Sequence, residues 1–261
     1  MAQEDENERG RGANARMRFR QSAGQERENV RKASRSMRLL IAVDAVLFLA
    51  ILIAGGMLLY RRQNREAEQH LSEIQAPDWY TQDFLTINPY SRPGTKREHV
   101  RDIVIHYVAN PGTSAIQNRN YFEGLKDQSG SKTVSASSHY IIGADGTILQ
   151  CIPLDEVAYG NYPRNEDTVS IECCHPDADG RFTDATIKSL ARLTGWLCKE
   201  LSLNEKHIIR HHDVSGKNCP KYYVEHEDAW RTLKKKLAAG IKEAKAEEQK
   251  GILILWENHY T

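Results

Sequence analysis

Side chains that bind metal ions stand close together near the end of this sequence. The run Arg210-His211-His212-Asp213-Val214-Ser215-Gly216-Lys217-Asn218-Cys219-Pro220 gathers two imidazoles, a carboxylate, a cation and a thiol. A further imidazole, His106, ends the apolar run Ile103-Val104-Ile105, where a polar side chain is out of place unless it is paired. Zinc takes imidazole nitrogen and thiolate sulfur, and a catalytic site keeps three protein ligands and leaves the fourth position open. His106, one of His211 and His212, and Cys219 meet that count. Their spacing is neither that of a zinc finger nor H-E-x-x-H, so the count and not a motif carries this reading.

An open metal position acts on bound water only with a base beside it. Glu172, in Ser170-Ile171-Glu172-Cys173-Cys174, is a lone carboxylate among small and apolar neighbours. It is either salt-bridged or poised as a base with a raised pKa. Lys217 puts a cation in the same run, where the plain reading is a solvated loop lysine. Asp213 either orients a ligand imidazole or caps the loop. His139 reads as a satisfied hairpin histidine, and His175 either lines a groove or is a structural histidine. Cys151, Cys173, Cys174 and Cys198 read as small buried hydrophobes, although a disulfide is open to them in an external domain.

The elements that must position these groups follow from pattern. Val100–Val108 is a β-branched buried strand, and residues 113–127 are helical in character. His139–Gly143 and Thr147–Ile152 flank Asp145-Gly146 and make a hairpin. Thr168–Cys174 is another short buried strand. In residues 184–201, Ile187, Leu190, Leu193, Leu197 and Leu201 share one helical face. Lys206–Arg210 is a strand candidate, and Asp228–Glu248 a Lys-rich terminal helix. Strands interleaved with helices and one hairpin give an α/β fold, a mixed central sheet flanked by helices.

The segments IVIHYV, SSHYIIGADGTILQ, TVSIECC and RHHDVSGKNCP, in this order, resemble the zinc-dependent N-acetylmuramoyl-L-alanine amidases. That family also holds the phage-lysozyme amidases and the peptidoglycan recognition proteins. The resemblance covers roughly residues 98–220, and its strongest part is H-x7-C-P with Lys two residues before the Cys. It implies zinc held by His106, His211 and Cys219, with the family's spacing favouring His211 over His212. Some branches use a Tyr where this chain has Ser138; others place a Glu where Glu172 stands, which implies Glu172 as the base and Lys217 as the oxyanion partner. The family often has a His in the stretch Val157-Ala158-Tyr159-Gly160-Asn161-Tyr162, and this chain has none there. The implied activity is hydrolysis of the amide between N-acetylmuramic acid and L-alanine in peptidoglycan. One alternative is a module that binds muropeptides without cutting them, against which the presence of Cys219 speaks. The other is a structural thiol and histidine cluster that binds no zinc.

The rest of the chain suggests where such a domain works. Residues 1–38 are polar and predict a disordered cytoplasmic tail. Leu39–Tyr60 is a run of 22 residues with one charge, Asp44, long enough as a helix to span a bilayer. It is too long, and too far from the N-terminus, for a simple signal peptide. Residues 16–38 hold eight Lys/Arg against two Glu, which predicts a cytoplasmic N-terminus and an extracellular domain. Residues 61–77 read as a charged stalk, 78–250 as the domain, and 251–261 as an apolar tail that either adds an edge strand or docks. Residues 1–65 carry 13 basic and 7 acidic residues, whereas 66–261 carry 23 and 28. A domain with an acidic excess is not built to bind nucleic acid.

Overall fold

The computed structural model describes Arg31, Met37, residues 43–44 and 46–58, and residues 71–259, without the side chains of 248 and 251–259. The chain divides into two units, residues 1–62 and 63–261. In the first, residues 46–58 are helical, with Val46, Leu47, Phe48 and Ile51 exposed. The expected span Leu39–Tyr60 lies in part outside the described residues, as do nearly all of the expected tail 1–38 and residues 61–70 of the stalk. Among the described residues, no helix is long and apolar enough to cross a membrane.

The second unit is built on one six-stranded sheet. Its strands are β1 (Thr81–Gln82), β2 (Asp102–Tyr107), β3 (Tyr140–Ile142), β4 (Ile148–Gln150), β5 (Thr168–Cys173) and β6 (Ile208–Arg210), in the spatial order β1-β4-β3-β5-β2-β6. Only the hairpin pair β3–β4 is antiparallel, so the sheet is mixed. The hairpin closes where Gly146 takes a positive φ of 90°, a conformation in which a Cβ is strained. The helices are α1 (Ala115–Gly124), α2 (Asp184–Glu200), α3 (His211–Ser215), α4 (Lys221–Glu225) and α5 (Glu227–His259). Residues 251–259, expected as an edge strand or a docked tail, continue α5 as helix backbone.

Side chains alternate across the sheet. Ile103 and Ile105 of β2, Tyr140 and Ile142 of β3, and Val169, Ile171 and Cys173 of β5 face a core shared with α2 and α5. That core takes Leu190, Leu193 and Leu197 from α2, all fully buried and each worth roughly 1.5–3 kcal/mol of burial. Thr183 caps α2 by accepting the Thr186 N–H at 3.0 Å. The two helices touch closely through glycine: a Cβ on Gly195 would lie 2.4 Å from the Gly240 carbonyl oxygen. Ile141, Leu149, Phe122 and Ala115 form a second core with α1 on the other face. The period of two, with Ile105 and Ile171 turned toward α2, sends His106 and Glu172 to the α1 face.

Candidate metal centre

Strands β5, β2 and β6 run parallel and side by side, so their carboxyl ends lie together, the usual place for a ligand site in a sheet of this kind. In register, His106 lies opposite Glu172, and Ile105 opposite Arg210. His211, one residue beyond Arg210, therefore comes beside His106, and the ring centroids are 4.6 Å apart.

Residues 210–220, expected as one loop, contain a turn of helix instead. The Arg210 N–H donates to Asp213 Oδ2 at 2.8 Å, and Gly216 ends α3 in the left-handed region at φ 76°. Reversal at Gly216 brings Cys219 back, with its carbonyl accepting the His212 N–H at 2.9 Å. The signal was the Asp at the third helical position with a Gly just past the end.

His106, His211 and Cys219 are all buried, and their ligand atoms lie within 4.8 Å of one another. His106 Nδ1 is 3.7 Å from Cys219 Sγ, close to the ~3.5 Å separating nitrogen and sulfur ligands on one tetrahedral zinc. His211 Nδ1 is buried without a hydrogen-bond partner, an orphan that a cation would satisfy. Burial holds His106 down at about 3 and His211 at about 4, so both rings are neutral, as a metal ligand must be. Burial, with Glu172 nearby, pushes the Cys219 thiol up to about 12, against a hydrogen bond from the Tyr107 N–H. A buried thiol of this kind ionises when a metal binds it. Two neutral imidazoles and one thiol, all aimed at a common point, fit zinc.

Glu172 stands at the edge of this group. Its Oε1 is 3.9 Å from His106 Nδ1, and its Oε2 is buried without a partner. Burial raises its carboxyl to about 8, against the opposing pull of Lys217. The salt-bridge alternative fails, since no Lys or Arg nitrogen lies within 4.0 Å of this carboxylate among the described residues. Lys217 is exposed and lines the same groove. That groove, about 250 Å³, is walled by Tyr107, Phe122, Ala136, Ser137, Tyr159 and Gly160. A larger depression of about 680 Å³ shares none of these residues. On its rim Arg164 pairs with Asp102 at 2.7 Å and Asp167 at 2.9 Å.

The other polar residues lie outside the three-ligand group. His212 is turned out, with Nδ1 3.1 Å from the Lys217 carbonyl oxygen. Asp213 caps α3 and pairs with Arg210, away from any imidazole ligand. His139 is buried between the Glu156 carbonyl and the Ser170 N–H. His175, for which a groove position is one of two readings, is buried against Tyr107, with ring centroids 5.3 Å apart and Nδ1 2.7 Å from the Asp177 carbonyl oxygen. Ser138 is buried and donates to backbone carbonyls. All five cysteines are free and buried. Sequence reasoning missed Asn161, whose Oδ1 lies 2.6 Å from His106 Nε2.

Residues 96–222 match the family described as N-acetylmuramoyl-L-alanine amidase. This segment of the chain belongs to that family. Among relatives of the amidase segment, the N-acetylmuramoyl-L-alanine amidase CwlL of Bacillus licheniformis is 34% identical over 167 residues, 59% of this chain and 45% of that protein. The amidase BlyA of Bacillus subtilis (strain 168) is 30% identical over 181 residues, 61% of this chain and 47% of its own length. The chain thus spans under half the length of these curated relatives. The solved catalytic domain of XlyA is 27% identical and superposes with a TM-score of 0.50, covering 62% of this chain and 98% of that structure.

Proposed function

We propose that this protein is a membrane-anchored zinc amidase of the cell wall, hydrolysing the bond between N-acetylmuramic acid and L-alanine in peptidoglycan. The observation that carries the reading is the convergence of His106, His211 and Cys219 beside Glu172 at the end of the sheet. The amidases it resembles support the reaction and substrate class.

His106, His211 and Cys219 would hold zinc, which supplies Lewis-acid charge to the scissile carbonyl and to water. Glu172 takes a proton from the attacking water as its oxygen bonds to the lactyl carbonyl carbon. As the carbon–nitrogen bond breaks, the same carboxyl returns the proton to the leaving nitrogen of L-alanine, giving a free amine and a free lactyl acid. A pKa raised by burial suits a group that must both accept and return a proton near neutral pH. Lys217 supports the negative charge that gathers on the carbonyl oxygen. Tyr107, Phe122 and Tyr159 give the groove apolar walls for the sugar and peptide faces.

The run Leu39–Tyr60 and the basic residues before it support an anchor with the N-terminus in the cytoplasm and the domain outside, where the cell wall is. An alkaline-phosphatase fusion after Tyr60 is then active; an inactive fusion of normal abundance contradicts this orientation. The activity itself is tested on the full-length chain in detergent, incubated with purified peptidoglycan and read by mass spectrometry. Free stem peptides beginning at L-alanine are expected. Retention of muropeptides with no cleavage by the zinc-loaded protein would point to a recognition module instead.

A further inference from the structure

Asn161 is 1% exposed, in the loop between β4 and β5, and its polar atoms form a chain with a direction. The Arg164 carbonyl oxygen can only accept, and it lies 2.5 Å from Thr168 Oγ1, so the threonine hydroxyl spends its single proton there. Thr168 Oγ1 is then an acceptor toward Asn161, which must present its amide nitrogen, at 2.8 Å. That choice turns Asn161 Oδ1 toward His106 Nε2, 2.6 Å away. An amide oxygen only accepts, so Nε2 must carry a proton, and Nδ1 is left as the nitrogen facing Cys219.

The chain is anchored at both ends. Thr168 is fully buried, and its carbonyl oxygen accepts from the buried Arg97 guanidinium at 2.6 Å. The Asn161 N–H donates to Asn165 Oδ1 at 2.7 Å. The loop is pressed onto the sheet at Gly160, where a Cβ would lie 2.9 Å from Ser170 Oγ and 3.0 Å from the Ser137 carbonyl oxygen.

We propose that Asn161, oriented by Thr168, is a positioning residue that fixes the tautomer and ring direction of His106 for metal binding. The inference rests on the reading of His106 as a metal ligand. A partner on the second ring nitrogen of a ligand histidine typically changes metal affinity by about 10–100-fold when removed.

The test uses full-length protein in detergent, labelled with 15N-histidine, with zinc alone as the probe. Ring 15N–1H correlation spectra of the zinc-free protein report the His106 tautomer, and competition with a chromophoric chelator gives zinc affinity. The wild type is expected in the Nε2–H form. Asn161→Leu is expected to mix the tautomers and weaken zinc binding by about 10–100-fold. Thr168→Val, which frees the amide to flip, shifts both readouts the same way. Asn161→Asp keeps an acceptor and restores them. Should Asn161→Leu fail to fold, Thr168→Val carries the test. Unchanged tautomer and zinc affinity within twofold in the folded variants would overturn the proposal, whatever their thermal stability. A wild type that binds no zinc at all would instead overturn the metal reading beneath it.

Discussion

His106 and Glu172 occupy directly opposite positions on the adjacent parallel strands β2 and β5, with Nδ1 and Oε1 3.9 Å apart. One register thus sets the distance between a ligand imidazole and the proposed base, and a slip of one residue would turn either into the core. Strands hold both groups, whereas Lys217 and Cys219 stand on the loop that follows α3.

Glu172→Gln keeps the shape of the side chain and removes its capacity to take a proton. The variant should bind zinc as the wild type does and lose about 10²–10⁴-fold in kcat. Metal content and turnover, measured on the same preparation, check this. Wild-type turnover would remove Glu172 from the chemistry.

The two neighbouring histidines of α3 should separate cleanly. His211 is buried beside His106, whereas His212 is turned to the Lys217 carbonyl. His211→Ala is expected to lose stoichiometric zinc and His212→Ala to keep it. Zinc retained without His211 would reverse the assignment.

Glu123 gives an acid limb to stability. Burial works against its ionisation but is outweighed by hydrogen bonds from Lys126 and from the hydroxyl and N–H of Thr86, which hold the carboxyl at about 2. A depressed folded-state pKa contributes stability that is present above the unfolded value near 4.3 and is lost as pH falls toward 2. Glu123→Gln should therefore cost about 1–2 kcal/mol at pH 6 and almost nothing at pH 2. Equal losses at both values, in denaturant titrations, would show that the carboxylate charge is irrelevant.

The α2–α5 contact should not tolerate a methyl group. At Gly195 a Cβ would meet the Gly240 carbonyl oxygen at 2.4 Å, and at Gly240 a Cβ would meet that of Ala191 at 2.3 Å. Gly195→Ala is expected to destabilise by about 1–3 kcal/mol, although alanine favours helix more than glycine does. A raised melting temperature would mean that the helices separate at little cost.

The sequence showed most of what the sheet needs. Ile103-Val104-Ile105 and Val169-Ser170-Ile171 announce buried strands, and Asp145-Gly146 announces the hairpin, because β-branching and turn chemistry act locally. The three metal-binding side chains could be picked out by residue type and by family likeness. Asn161 could not be, since its role depends on a loop pressed onto a strand seven residues away at Thr168 and far more distant at His106. The same limit explains His175: sequence places it just after β5, and only packing shows that it turns under Tyr107 instead of into the groove. Thr81–Gln82 is too short to carry a pattern, and it is a strand only because β4 offers it an edge.

The most direct test of the central claim is a zinc titration of chelator-treated full-length protein, following new L-alanine amino termini released from peptidoglycan. Zinc dependence means no release without zinc, full release at one equivalent, and none at any zinc level in Cys219→Ser. Undiminished release from protein shown to be free of metal would contradict it.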